Sequence, residues 1–277
     1  MVKDKIGKQM YKNPVILFRH ERNSLEEYEI AKKYFPVYEH RTQCKKGDLV
    51  IGRFSVLPYY KELEKDVEQL GAIMFNTVHQ HEYISSFNYY DKMIDLTPET
   101  WREYNFPYST YEGPFVVKGC TNSRKHQWDT HMFAKTRTEA VIIANKLHND
   151  MLLSEQDILY RKYIPLKNHG IGINGLPFSN EWRYFAIGGT LIDYGFYWSS
   201  LHTNVKDVHD EKREWLVNEI LSRMSNSNIF YSFDIAETED GNWILIEMNS
   251  GQMSGLSTIN PDRFYYHLYN TVMELVS

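Results

Sequence analysis

The sequence predicts an α+β protein in which a small parallel α/β unit precedes antiparallel sheets with packed helices. Three observations point there. Up to about residue 88, short apolar runs alternate with segments of helical spacing, the pattern of a parallel α/β unit. Beyond that point, strand-like runs are joined by Gly-Gly and Asp-Gly turns, the signal of antiparallel hairpins. No stretch approaches the roughly 18 consecutive apolar residues of a membrane span.

The elements follow in order. "PVILFRH" (14–20) reads as a strand, and "SLEEYEIAKKYF" (24–35) as a helix capped by Ser24. "GDLVIGRF" (47–54) is a buried strand, "YYKELEKDVEQLG" a helix closed by Gly71, and "AIMFNT" a third strand. "DKMIDLTPETWREYNF" reads as helix in two pieces. "GPFVVKG" (113–119) is a strand, "TRTEAVIIANKLHNDM" an amphipathic helix, and "DILYRKYIPL" (157–166) a strand stopped by Pro165. "NEWRYFAIGGTLIDYGFYWS" (180–199) is a strand pair around Gly188-Gly189. "DEKREWLVNEILSRM" is a helix, a second hairpin follows it, and "PDRFYYHLYNTVMELV" closes as a helix. No glycine-rich dinucleotide fingerprint occurs.

A chain of 277 residues is long for one core, so two or three packed units are expected. Its 42% hydrophobic and 24% charged content is that of a soluble globular protein. The net charge of −5 argues against coating nucleic acid, without closing that class, and against lying on an anionic membrane. "MVKDKIGKQMYKN" lacks an apolar leader core, so a cytoplasmic protein is expected. Cys44 and Cys120 are too isolated for a disulfide framework. His79 and His81 lack the i, i+4 spacing of a zinc hydrolase and read as surface or interface residues. Trp182, Trp198, Tyr89 and Tyr90 read as core.

Chemistry concentrates in "WILIEMNSGQMSGL" (243–256). Strand alternation places Glu247 and Asn249 on one face, with Ile244, Ile246 and Met248 on the other. A two-residue turn at Asp240-Gly241 would pair Glu239 with Asn242 and set Asp234 opposite Glu247. Facing carboxylates repel, so a positive group is expected between them, and Mg²⁺ suits oxygen donors of this kind. The bland alternative is a solvated hairpin with charged outer positions. Lys118 ends an apolar strand, where its ammonium would emerge at the sheet edge. The segment after it holds Arg124, Lys125, Lys135 and Arg137 against one acid, Asp129. Such a cluster suits phosphate oxygens, or else is a solvated basic loop or a nucleic-acid backbone patch.

The order "DK" (91–92), "GPFVVKG", helix, "YRKYI", "EWRYFAIGG", "FDIA…DG…WILIEMNSG" resembles the ATP-grasp superfamily, in which two α+β subdomains close on ATP. It is most similar to divergent ATP-grasp proteins often found in bacteriophages. The resemblance implies a pre-grasp domain at 1–88, an N-terminal grasp subdomain at 89–166 and a C-terminal one at 167–277. It implies that Lys92 and Lys118 contact ATP phosphates, with Arg124 and Lys125 standing in for an absent glycine-rich lid. Lys162 and the backbone about Ile164 would line the adenine site. Arg183 would stabilise the transferred phosphoryl group, and Asp234, Glu247 and Asn249 would hold Mg²⁺. Ser250, Ser254 and Gly255 would face the substrate. The chain departs from the family pattern at "YRKY", which is basic where relatives carry a hinge glutamate, and at Ser250, where proline or arginine is common.

The implied activity is an ATP- and Mg²⁺-dependent ligase that joins a small-molecule or peptide carboxylate to an amine through an acyl phosphate, releasing ADP and phosphate. Two alternatives stay open at this point. One is a nucleic-acid ligase or nucleotidyltransferase acting through Lys118, although "KGCT" lacks the aspartate of that signature. The other is a nucleotide-binding module without turnover.

Overall fold

The computed structural model describes residues 13–19, 25–199 and 205–277. Ser24, the expected helix cap, lies outside them, as do most of the N-terminal segment and His202. A parallel sheet comes first, ordered β2-β1-β3-β4, with β1 at Asn13–Phe18, β2 at Val37–Tyr38, β3 at Asp48–Arg53 and β4 at Ile73–Met74. Its runs are apolar throughout because both faces are covered. Val15, Leu17 and Val50 pack with Leu63 and Val67 of the helix Tyr60–Gln69. Ile16, Phe18, Leu49 and Ile51 pack against Phe185, Phe230, Phe264 and Leu268 from the far end of the chain. The N-terminal unit is therefore welded to the C-terminal sheet.

The second sheet is antiparallel, ordered β5-β8-β6-β7, with β5 at Thr100–Arg102, β6 at Phe115–Gly119, β7 at Phe133–Ala134 and β8 at Ile158–Lys162. The helix Arg137–His148 covers one face through Ala140, Ile143, Ala144 and Leu147. Thr136 caps it, its hydroxyl accepting from the Glu139 amide. Only the first half of "DKMIDLTPETWREYNF" is helical, at Tyr90–Met93, and the expected second helix is strand β5. Pro98 interrupts helical continuation. Trp101 then packs against Phe106, Tyr111 and Phe115, a tertiary contact that outweighs local propensity. Lys118 is not at a sheet edge: β6 is an interior strand and Lys118 is buried.

Residues 163–167 cross to the third sheet. The amides of Lys167 and Glu239 bond to the carbonyls of Glu237 and Pro165. A two-stranded ribbon of β9 (Asn168–Ile171) and β10 (Pro177–Ser179) leads into an antiparallel sheet ordered β12-β11-β13-β14. These strands are β11 Glu181–Ile187, β12 Thr190–Phe196, β13 Phe230–Glu237 and β14 Trp243–Ser250. The helix Glu211–Met224 covers one face, packing Leu216, Ile220 and Met224 against Trp182, Tyr184, Phe233 and Leu245. The helix Pro261–Val276 covers part of the other.

The β13–β14 hairpin differs from expectation in a way that leaves its key pair in place. Its loop has three residues, closed by Thr238 and Asn242, with Gly241 at φ +75°. That conformation is one glycine adopts without strain. The longer loop shifts the register by one, so that Glu237 faces Trp243. A bulge at Ile246 shifts it back, and Asp234 faces Glu247. The same bulge changes the alternation. Ile244 and Ile246 line one cavity together with Glu247, whereas Leu245 and Met248 enter the core.

Candidate active site

Every residue of β11, "EWRYFAI", is buried. Trp182, Tyr184 and Ala186 enter the core under the helix Glu211–Met224. Phe185 and Ile187 occupy the opposite face against the N-terminal unit, and Glu181 and Arg183 share that face by strand parity. Cross-strand pairing then sets Arg183, Asp234 and Glu247 in a row over three neighbouring strands. Arg183 grips Asp234 with two parallel hydrogen bonds, Nε to Oδ1 at 2.8 Å and Nη2 to Oδ2 at 2.7 Å. Its remaining nitrogen, Nη1, donates to the Gly255 carbonyl at 3.0 Å. Lys118, arriving from the second sheet, donates to Glu247 Oε2, and Asn249 Nδ2 donates to Oε1 at 3.1 Å.

The positive charge expected between the two acids is thus supplied by protein cations. Burial pushes the Glu247 carboxyl up, but Lys118 and then Lys125 outweigh that and hold it well below the usual range. Burial works against the Arg183 guanidinium, and Asp234 more than offsets it, raising its pKa. Lys125 lies 4.1 Å from the Tyr197 ring centroid and 2.6 Å from its hydroxyl. Burial disfavours its charge, yet Tyr197, Glu181, Glu247 and Asp234 raise its pKa. Glu181 behaves differently, because burial pushes its carboxyl up to about 7 against the pull of Lys125. Its Oε2 accepts from Ser179 Oγ at 2.9 Å, and its Oε1 is buried with no partner among the described residues.

Two cavities meet at this cluster. The first, about 140 Å³, lies between the second and third sheets and is mainly apolar, with Val116, Met132, Leu176, Trp198, Ile244 and Ile246 in its wall. Lys118, Lys125, Lys162, Ile164, Glu181 and Glu247 also line it. The second, about 350 Å³, is polar and borders the loop after β14. Its wall includes Ser55, His81, Thr121, Asn122, Lys125, Arg183, Glu247, Asn249, Ser250, Ser254 and Gly255. That loop is anchored to the N-terminal unit: Gln252 Oε1 accepts from the Gly52 amide at 2.7 Å, and Arg53 Nη1 donates to the Gly251 carbonyl at 2.5 Å. A Cβ at Gly52 would stand 3.0 Å from that same Oε1, so glycine permits the contact.

Of the residues singled out from sequence, Lys118, Lys125, Lys162, Ile164, Arg183, Glu247, Asn249, Ser250, Ser254 and Gly255 all line one or both cavities. Asp234 stands directly behind them, fully buried, with both oxygens taken up by Arg183. Arg124 is not brought in, because its guanidinium is tied to Asp150. Lys92 is exposed, with its ammonium 5.8 Å from the Tyr83 ring, and lines neither cavity. Glu181, Tyr197 and His81 were missed. Trp198, read as core, lines the apolar cavity. His81, read as a surface or interface residue, is buried and stacked on Tyr60 with ring centroids 4.1 Å apart. Glu181 had one available signal: a carboxylate opening a wholly apolar and aromatic strand two positions before Arg183.

As a donor set, Glu247 and Asn249 fit Mg²⁺, since both present hard oxygen chemistry at the meeting point of the cavities. Asp234 joins that set only by releasing Arg183. No cluster of three or more His, Cys, Asp or Glu side chains forms a metal centre among the described residues. A cation here would draw further ligands from nucleotide phosphates and water.

Comparison with known proteins decides the family. Residues 105–268 match the family described as an ATP-grasp domain, family 3 of its clade. The chain belongs to this ATP-grasp family. No curated protein matches the sequence. The ATP-grasp fold extends over nearly the whole chain. D-cycloserine synthetase DcsG superposes with a TM-score of 0.62 at 11% identity, covering 94% of this chain and 100% of that one. An ATP-grasp RimK domain protein from Sphaerobacter thermophilus DSM 20745 gives 0.56 at 14% identity, covering 91% and 98%. The ATP-grasp ligase PsnB, complexed with minimal precursor, Mg and ADP, gives 0.55 at 9% identity, covering 96% and 99%. At these identities the likeness is one of fold. No helix among the described residues is long and apolar enough to cross a membrane.

Proposed function

We propose that this ATP-grasp protein is a carboxylate–amine ligase that uses ATP with Mg²⁺ and releases ADP and phosphate. The observation that carries the reading is the convergence of Lys118, Lys125 and Arg183 where an apolar cavity meets a polar one. Three cations beside the two carboxylates Asp234 and Glu247 leave a positive surplus, and phosphate oxygens satisfy it. The apolar cavity takes the base, with Lys162 and Ile164 at its wall, and the polar cavity takes the carboxylate substrate near Ser250, Ser254 and Gly255. The names of the structural neighbours, a synthetase and a peptide-precursor ligase seen with Mg and ADP, support the same class.

The reaction balances in two steps. A substrate carboxylate oxygen bonds to the γ-phosphorus as the bond to the β-bridging oxygen breaks and ADP leaves. The amine then bonds to the acyl carbon, phosphate departs with the acyl–oxygen bond pair, and the amine loses its extra proton to phosphate or water. Positioning and charge stabilisation dominate such transfers, and they fall to Lys118, Lys125 and Arg183. Bound Mg²⁺, held by Glu247 and Asn249, would neutralise phosphate charge. Lys118 is unsuited to carry an adenylyl group, because attack needs a free amine and this one is ion-paired with Glu247. A cytoplasmic location and the bacteriophage likeness rest on sequence alone.

The test supplies Mg²⁺, ATP, and paired carboxylates and amines, and follows the nucleotide product. ADP and phosphate in equal amounts, with an amide product, support the reading. AMP with pyrophosphate, or a lysine-bound adenylate, would overturn it.

A further inference from the structure

The polar cavity contains two buried polar atoms that nothing in the fold satisfies. His81 and Ser250 are each more than nine-tenths buried, and both line the cavity. His81 Nδ1 and Ser250 Oγ have no hydrogen-bond partner among the described residues. Leaving such a group bare costs about 1–3 kcal/mol, so native proteins rarely do it without a reason. The two come from opposite ends of the chain. Ser250 ends β14, and His81 belongs to the helix Val78–Ser85 of the N-terminal unit.

The placement of His81 is rigid. Its ring lies within 8° of parallel to Tyr60. The Tyr60 hydroxyl donates to the Asn76 carbonyl at 2.7 Å and accepts from Gln252 Nε2 at 2.7 Å. Gln252 belongs to the loop that follows Ser250, so one chain of contacts fixes both orphan atoms relative to each other. Burial lowers the His81 pKa to about 4, which keeps the imidazole neutral near pH 7. A neutral ring can donate or accept at Nδ1 according to its tautomer.

Resting on the ligase reading, we infer that His81 Nδ1 and Ser250 Oγ bind the phosphoryl-accepting substrate, and that this substrate is a polar carboxylate the size of a single amino acid. The size follows from the cavity of about 350 Å³, at the low end of the roughly 300–1,000 Å³ common for ligand sites, part of which the γ-phosphate must share. The charge follows from Lys125 and Arg183 in a wall whose one acid is Glu247. The polarity follows from a lining in which Leu57, Met253 and the Tyr197 ring are the main apolar surfaces. A site whose buried polar groups await partners rejects a substrate that lacks them far better than an apolar pocket rejects an extra hydroxyl.

The experiment uses the full chain with Mg²⁺ and ATP, hydroxylamine as a common amine, and a set of free amino acids as carboxylates. Serine, threonine and asparagine are compared with alanine, valine and leucine by ADP release above the rate without carboxylate. Use of a polar member at least about tenfold better in kcat/KM than its apolar counterpart is expected, the factor of one lost buried hydrogen bond. His81→Phe keeps the stack on Tyr60 but removes the nitrogens. It should raise the KM for that carboxylate about tenfold while the KM for ATP changes less than about twofold, and Ser250→Ala should do the same. His81→Asn, which restores a donor and an acceptor, should recover part of the loss. Equal use of apolar amino acids, use of peptides alone, no use of any member, or an unchanged carboxylate KM in His81→Phe would each overturn the inference. Failure of the ligase reading looks different: no Mg²⁺-dependent nucleotide binding by the wild-type chain, or AMP as the product.

Discussion

The two cavities that share the Lys118–Glu247 pair are built on opposite terms. The first is apolar and walled by β-branched and aromatic side chains of two antiparallel sheets. The second is polar and walled by loops, by the end of β14 and by the N-terminal unit. Yet each holds one buried titratable group kept neutral by burial, Glu181 in the first and His81 in the second. The difference teaches that the ion pairs between the cavities, rather than their walls, carry the charge. The walls choose what sits on either side of a common phosphate site.

Breaking the junction should have the largest effect. Glu247→Ala leaves Lys118 buried without its partner, so stability should fall by about 3–5 kcal/mol in urea unfolding, and ADP release should be lost. Arg183→Lys tests the junction more gently. It removes the bidentate grip on Asp234, and kcat should fall about a hundredfold while the KM for ATP changes much less.

The neutral pair gives pH predictions of opposite sign. The Glu181 pKa rises from 4.5 to about 7 on folding, so within that window the native chain keeps a proton that the unfolded chain has released. Its contribution to stability is present below pH 4.5 and lost as pH rises through about 7. The His81 pKa falls from 6.5 to about 4, so its contribution is present above pH 6.5 and lost as pH drops toward 4. Unfolding measured at several pH values should show Glu181→Gln removing the first slope and His81→Phe the second, each on the order of 1–3 kcal/mol. The same sign for both variants would break the comparison. The smallest effects belong to Lys92→Ala and Arg124→Ala, which lie outside both cavities. The KM for ATP should move less than about twofold in either, and a larger shift would place a third phosphate contact there.

Much of the site was legible in order along the chain. Lys118 at the end of "PFVVK", the carboxylate-x-Asn of β14 and the small-residue loop after it all reach the junction. Arg183 reaches it too, although its first partner is Asp234. The Asp234–Glu247 pairing came out right although the hairpin loop is a residue longer than expected. Two one-residue shifts cancel, and a bulge leaves no trace in a pattern of period two. The role of β5 was illegible because Trp101 is held by Phe106, Tyr111 and Phe115, which join it only in the folded sheet.

By itself the sequence determined the residue types, their order and most of the strand and helix segments, because those depend on local spacing and turn chemistry. Tertiary structure alone decided which charges neutralise one another, that Lys118 is interior, that Glu181 and His81 are enclosed, and that the first and last parts of the chain share a core. Burial and ion pairing depend on distance in space, and residues 81 and 250 or 118 and 247 carry no mark in the sequence of being neighbours.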